Sequence, residues 1–294
     1  MPINRRRAAS SKISSEKKLG GHRNEDEFAG LISGVVIKGT QKGDVEDPKG
    51  LLYSVKSGKK WQVFLYGFER INNSKHLKVL QPCLEAFPKD SSIYFKDRTR
   101  VIEFKERYVK KHGREKAKKL SNDEVINILG ENEYITSKNK LAKATDEVYN
   151  LLKNRSFLQD FLDEALFNSR EVSFLAIKDT TYRKDDAFKV FSRKDVLNIL
   201  SSELFPATSK AGNVPEDFNV SGQKTLLCYK TKSGTQKNVV EIEIRNDSDT
   251  HYRQVRFNMY SRDALTLLLN KLEDNKKSTS GKKLSYFGES FKLI

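Results

Sequence analysis

Residues 43–56 constrain this chain more than any other stretch. Gly43-Asp44-Val45 reads as the end of a short strand, Glu46-Asp47-Pro48-Lys49-Gly50 as a turn, and Leu51-Leu52-Tyr53-Ser54-Val55-Lys56 as the next strand. Asp, Pro and Gly between two apolar runs are turn chemistry, because each favours a backbone geometry that strands avoid. Side chains alternate faces along a strand, so Ser54 and Lys56 project together while Val55 points into a core. Such a hairpin holds an acid, Asp44, at the end of one strand and an ammonium, Lys56, on its neighbour.

The charge of the whole chain indicates what that pair faces. Its 294 residues carry 55 Lys and Arg against 39 Asp and Glu, a formal net charge of +16. A field of that sign favours DNA, RNA or an anionic membrane surface. No apolar run approaches the roughly 20 residues needed to cross a bilayer. No signal-peptide core follows the basic N-terminus, and no basic amphipathic helix carries a bulky aromatic face. Nucleic acid is therefore the expected partner, with no membrane. Cys83 and Cys228 lack a CxxC neighbour and read as reduced core thiols of a cytoplasmic protein. His22, His76, His112 and His251 include no two at ligand spacing, which excludes a conventional zinc site.

The pattern along the chain predicts an α/β fold with four segments. Residues 1–19 are a basic, serine-rich arm without apolar period. Residues 20–100 are expected to form a core: a helix capped by Asn24 with Phe28, Leu31 and Ile32 on its apolar face and ended by Gly34, a strand at Val35-Val36-Ile37, the hairpin, and Trp61 to Tyr66, which fits strand or helix. Residues 101–205 are expected to be mainly helical. Within them Lys105, Arg107, Lys110, Lys111, Arg114, Lys116, Lys118 and Lys119 form a run read equally as a solvated face or a phosphate-contacting surface. Residues 206–294 begin with a Pro/Gly/Ser/Asn-rich loop, followed by strands at Val239–Arg245 and Tyr252–Met259, joined by the turn cluster 246–250, and by a helix near Leu265–Leu272.

Phosphodiester hydrolysis needs a cation to offset charge on the phosphorane, an oriented water, and help for the leaving oxygen. Magnesium takes hard oxygen ligands and keeps several waters, so one or two carboxylates and a backbone carbonyl suffice. Asp44 is the first candidate ligand and the Val55 carbonyl the second; Lys56 would position or activate the water, and Glu25, in the first turn of the preceding helix, would be an auxiliary acid.

In its order of helix acid (Glu25), strand acid (Gly43-Asp44) and strand lysine (Ser54-Val55-Lys56), the segment 20–66 resembles the PD-(D/E)xK nuclease superfamily, and more narrowly the type II restriction endonucleases. Gln62 and Tyr66 also stand in the Gln-x-x-x-Tyr form of some members. The resemblance implies a mixed central sheet flanked by helices, with a helical insertion and a C-terminal strand-rich recognition region. It also implies magnesium dependence and cleavage of DNA to leave 5′-phosphates. Two positions depart from the pattern: Gly43 replaces the family's Pro, and Ser54 replaces the second carboxylate, a charge that Glu25 or Glu27 would have to supply.

A second set of acids, Glu241 and Glu243, shares a strand face with Arg245, but arginine activates water poorly. That hairpin instead carries residue types that read base edges in a major groove. Arg245, Asn246, Asp247, His251, Tyr252, Arg253 and Arg256, with Gln254 and Asn258, are the candidate DNA readers, and Lys110 and Lys111 candidate phosphate contacts. The leading expectation is a sequence-specific, magnesium-dependent endonuclease of double-stranded DNA in a prokaryotic cytoplasm. It would work as a homodimer, with residues 101–205 embracing DNA or dimerising, residues 206–294 recognising the target, and a cognate DNA methyltransferase as genetic partner. Alternatives are a repair or recombination nuclease of the junction-resolvase kind and a non-catalytic nucleic-acid-binding protein.

Overall fold

The computed structural model describes residues 21–38, 43–180, 186–208, 224–272, 276–278 and 283–288. The basic arm 1–19, most of the loop 206–222 and part of the tail after Asn275 lie outside them. The elements in chain order are helix α1 (21–32), strands β1 (Val35–Val36), β2 (Val45–Glu46), β3 (Leu52–Lys56) and β4 (Lys60–Gly67), and helix α2 (Phe68–Asn72). A 3-10 turn at Leu77–Leu80 leads into α3 (Gln81–Glu85), α4 (Ser91–His112), α5 (Arg114–Lys118), α6 (Asn122–Leu129), α7 (Glu133–Leu151) and α8 (Arg155–Phe167). The rest comprises β5 (Phe174–Lys178), β6 (Phe188–Ser192), α9 (Arg193–Glu203), β7 (Phe205–Thr208), β8 (Lys224–Lys230), β9 (Gln236–Ser248), β10 (His251–Tyr260), α10 (Ser261–Leu272), β11 (Lys276–Ser278) and β12 (Leu284–Phe287).

The strands form two sheets. The first has the order β1-β2-β3-β5-β6-β12-β11 and is mixed, with parallel pairs β3/β5 and β6/β12. The second, β4-β10-β9-β8-β7, is antiparallel throughout. The chain is thus α/β with a mixed sheet flanked by helices. It does not divide into the linear segments expected. Strand β4, from the expected core, pairs with β10 of the expected recognition region, and β3 pairs with β5 across the helices α2 to α8. Strand partners are chosen by matching buried faces rather than by sequence proximity, so segments read as separate domains share both sheets.

Alternation on the first sheet sorts its residues onto two cores. Tyr53, Val55, Ala176, Phe188 and Val190 face α1, with Phe28 fully buried among them, 5.3 Å from the Tyr53 ring and 5.1 Å from Phe188. Leu175, Ile177 and Phe191 face the larger core, which also takes Val240, Ile242, Val255 and Phe257 from the second sheet. Helix α9 touches β5, β6 and β8, while α10 lies on β9 and β10, so helices fill the space between the sheets. Trp61, on β4, is buried in this core. Cys83 and Cys228 are both buried and free, and burial pushes the Cys83 thiol up to about 12.

Local chemistry differs from the sequence reading in two places. Asn24 lies inside α1 and not at its cap; its amide donates to Ser57 Oγ at 2.8 Å, tying the helix to the end of β3. Gly34 is needed for close approach: a Cβ there would sit 2.5 Å from the Glu46 carbonyl oxygen, and the left-handed residue ending the helix is Ser33. Replacing Phe28 by Ala removes a fully buried ring wedged between α1 and the sheet, and is expected to cost about 3–5 kcal/mol. Denaturant unfolding followed by circular dichroism checks this.

Candidate functional site

The hairpin β2–β3 is built by Asp47. Its Oδ1 accepts from the amides of Lys49 and Leu51, both at 2.9 Å, and Gly50 takes the left-handed conformation that closes the turn. One pair earlier, the Asp44 amide donates to the Tyr53 carbonyl at 2.8 Å, and the Asp44 carbonyl accepts from Ile37 at 3.0 Å. Asp44 is therefore clamped between β3 and the residue after β1, with its carboxylate turned to β3. Its Oδ2 accepts three hydrogen bonds: from the Val55 amide at 2.6 Å, Lys56 Nζ at 2.9 Å and Ser54 Oγ at 3.2 Å. Asp44 and Lys56 each keep 19% of their side-chain surface exposed, so the pair is lodged in the fold yet open to a ligand.

The four hairpin residues singled out by sequence thus meet at one oxygen. Val55 takes part through its peptide N–H, where a carbonyl ligand had been expected. Ser54 donates its hydroxyl to Asp44 in place of a second negative charge. As a magnesium site the donor set is sparse but consistent: Oδ1 of Asp44 accepts none of these bonds and is a hard anionic oxygen, with water and a phosphate completing such a shell. Among the described residues no group of three or more His, Cys, Asp or Glu side chains is arranged to hold a metal ion.

The helix acids are engaged elsewhere. Glu25 pairs with His22 at 3.0 Å, although its neighbour Asn24 brings the start of α1 to the residue after Lys56. Glu27 binds Lys178 at 2.5 Å, and Asp186 lies 3.4 Å from the same ammonium. Burial pulls the Lys178 pKa down, but these two carboxylates outweigh it and hold it above the ordinary lysine value.

A second acid and lysine share the Ser54/Lys56 face, and the sequence reading missed them. Lys56 pairs with Ile177 across the parallel β3/β5 ladder. Asp179 lies two residues beyond Ile177, its amide still bonded to the Ala187 carbonyl of the β6 side at 3.0 Å. Continued one step past the end of β5, alternation puts Asp179 on the face of Ile177 and hence of Lys56. Asp179 is fully buried, and Lys189 reaches it at 3.7 Å. The only sequence signal was an acid closing an apolar strand, FLAIKD.

The β9–β10 hairpin does not present its polar residues as a reading face. Register shifts flank Tyr252 and Arg253, and Arg253 adopts a left-handed backbone, so strict alternation fails there. Arg253 turns inward to the Leu84 carbonyl and lies over the Phe68 ring; Tyr252 packs on Tyr94 and Phe95 and donates to the Pro88 carbonyl. Asn246 is 5% exposed and donates to the Tyr94 hydroxyl at 2.8 Å. These three, read as base contacts, are fold contacts. Arg256 pairs with Glu243, and Arg245 holds Asp247 and His251 in a cluster at the hairpin end. Gln254 caps its own turn through the Thr250 carbonyl. Lys110 and Lys111 are exposed at the C-terminal end of α4, where they also complement the helix dipole. Gln62 and Tyr66 lie on β4 of the second sheet, away from the β3 cluster, with Arg70 stacked over Tyr66.

Glu241 is the most strongly held acid of this hairpin. It is 3% exposed and takes Lys60 at 2.6 Å, the Tyr260 hydroxyl at 2.8 Å, Asn258 at 3.1 Å and Lys224 at 3.5 Å. Burial acts to raise its pKa, but the bonds from Lys60 and Tyr260 and the charge of Lys224 bring it down to about 2. With every lone-pair direction engaged, this acid joins β4, β8, β9 and β10 and is not poised for metal.

Compared with known protein families, with curated proteins and with solved structures, the chain matches none. The site therefore rests on its own geometry.

Because Glu241 is held well below its ordinary pKa, its stabilising contribution is complete above about pH 4.5 and is lost as pH falls toward about 2. The variant Glu241→Gln is expected to lose about 1–3 kcal/mol at pH 7, because Lys60 and the Tyr260 hydroxyl lose their anionic acceptor while Lys224 keeps Glu243. It is also expected to flatten the acid limb of stability against pH, read from urea midpoints between pH 2 and 7.

Proposed function

We propose that this protein is a magnesium-dependent DNA endonuclease of the PD-(D/E)xK kind, with its reacting centre at Asp44, Ser54 and Lys56. The observation that carries the proposal is the meeting of Lys56 Nζ and Asp44 Oδ2 at 2.9 Å, each side chain 19% exposed, in a strongly cationic chain. An acid and an ammonium on adjacent strands form the smallest set that can both anchor a hard cation and hold a water near a phosphate.

Asp44 is the anchoring group. Its Oδ2 is fixed by Val55, Ser54 and Lys56, which leaves Oδ1 as the ligand oxygen of the proposal. A bound magnesium ion would supply positive charge to the phosphorane and a more acidic water. Lys56 donates to Asp44 and keeps further N–H groups for a water or a non-bridging phosphate oxygen. Ser54 is a neutral donor, so the centre carries one fewer negative charge than a two-carboxylate site; Asp179, two positions beyond Ile177, the β5 partner of Lys56, is a candidate to make up that charge. Cutting both strands of a palindrome requires two such centres, which is why a homodimer belongs to the proposal, as does a paired methyltransferase protecting the host DNA.

Incubation with plasmid and phage DNA, with magnesium or with chelator, tests it. Discrete, magnesium-dependent bands are expected. Asp44→Ala and Lys56→Ala are each expected to lower cleavage at least about 100-fold, the scale of a lost proton-transfer or charge-stabilising group, while a mobility shift with DNA persists in chelator. A retarded but intact substrate at every metal concentration would instead identify a non-catalytic binder. Asp179→Asn lowering cleavage without loss of the folded state would place that acid in the centre.

A further inference from the structure

Helices α4 and α7 pack together, and the region between them gathers three cations beside a single acid, Asp97, that is already engaged. Tyr94, Asp97 and Val101 are the buried positions of α4, and Lys105 stands one turn after Val101 on the same stripe. On α7, Tyr134 and Leu141 are buried, and Lys138 stands one turn after Tyr134. The Tyr94 and Tyr134 rings lie 5.3 Å apart, and the Glu133 amide donates to Asp97 Oδ2 at 2.6 Å, which fixes the two helices against one another. Lys138 Nζ stands 5.2 Å from the Tyr134 ring centroid. Arg98, one residue after Asp97, reaches the Asp247 backbone carbonyl at 3.5 Å. All three cations are partly buried.

None of the three takes a carboxylate partner among the described residues. The acids on the same elements are engaged or turned away. Asp97 binds Arg100 and the Glu133 amide, Glu133 accepts from Ser137, and Asp247 holds Arg245; Glu103 and Glu106 lie on the exposed side of α4. Burial, and then the charges of Lys105 and Arg98, depress Lys138 to about 8, and burial alone depresses Lys105. Like charges held in a helix interface without compensation oppose folding, so the arrangement asks for an anion from outside.

We propose that Arg98, Lys105 and Lys138 form a cradle for the backbone phosphate of a nucleic acid. A guanidinium fork and two ammonium groups are the donor set that phosphate oxygens take. Past Lys105 the same region continues into the exposed Lys110, Lys111, Arg114 and Lys116. A polyanion running along that track meets cations at successive points, which a free phosphate or a compact acidic ligand does not. The inference concerns binding and does not require the Asp44 centre to cut.

Fluorescence anisotropy with a labelled 30-base-pair duplex in chelator, across a salt series, tests it on the full chain. The double variant K105Q/K138Q is expected to bind at least about 10-fold more weakly. Its log–log salt slope should be shallower by about 2, the loss of two phosphate contacts. Its thermal midpoint should stay or rise, since repulsion is relieved, whereas lysines serving the fold would lower it. K138R should retain the slope. On the wild-type protein, duplex should shield Lys105 and Lys138 from acetylation, a readout independent of how the variants fold. An unchanged affinity and slope, no shielding, or a loss confined to polyglutamate or pyrophosphate binding would overturn the proposal. Since no cleavage is measured, failure here and failure of the hydrolase reading are separate results.

Discussion

The parallel pairing of β3 with β5 is the contact on which the rest of the molecule depends. Parallel neighbours cannot be joined by a tight turn, so the chain must leave the sheet and return. Here it leaves after Lys56 and returns at Phe174, and everything from β4 to α8 is carried on that excursion. Closing a loop that long costs little more than closing a short one, because the entropy grows only logarithmically with length. The excursion must nevertheless bury its own apolar surface. It does so by placing β4 beside β10 and packing α8 against β4 and α9. The second sheet is therefore a consequence of where β3 finds its partner.

That pairing also sets the chemistry of the hairpin. With β2 on one side and β5 on the other, β3 is an interior strand, and Ser54 is buried to 3% beneath the Asp44 carboxylate. An aspartate at a sheet edge would exchange its partners with water. Here the Val55 amide, held by the strand, and the ammonium two residues further on give Asp44 one orientation. The same ladder brings Asp179 to the Lys56 side, a relation created by register and by nothing local.

What could be read from the sequence follows from this division. The convergence of Asp44, Ser54 and Lys56 was legible because a short hairpin and period-two alternation determine it without knowledge of any other strand. The first helix was legible from the apolar spacing of Phe28, Leu31 and Ile32, although its expected cap, Asn24, lies inside it; the capping box of Ser121 and Glu124 is seen only in the structure. The partition into domains was not legible, since β4 and β10 are nearly two hundred positions apart and their pairing has no local signature. The polar face of β9–β10 misled for another reason. Residue type predicts exposure only on average, and the bulge at Arg253 turns Tyr252 and Arg253 into the core, where a hydroxyl and a guanidinium find backbone carbonyls.

A chain with so large a positive excess must still bury its acids safely, and the way it does so decides where the field appears. Asp44 lies against Lys56, Glu27 against Lys178, Asp179 against Lys189, and Glu241 among Lys60, Lys224 and Tyr260. Each of these carboxylates captures a cation, because desolvated charge is best tolerated when paired. Those captured cations contribute almost nothing to the outer potential. The excess is then carried by groups that no internal acid has claimed, and Lys110, Lys111 and Arg114, at the end of α4 and the start of α5, are of that kind. Arg98, Lys105 and Lys138 occupy the intermediate case, too buried for water to screen them fully and, among the described residues, without an acid to neutralise them. Pairing within the fold thus leaves α4, α5 and α7 with a share of the unbalanced charge, set by which lysines and arginines the buried acids have not captured.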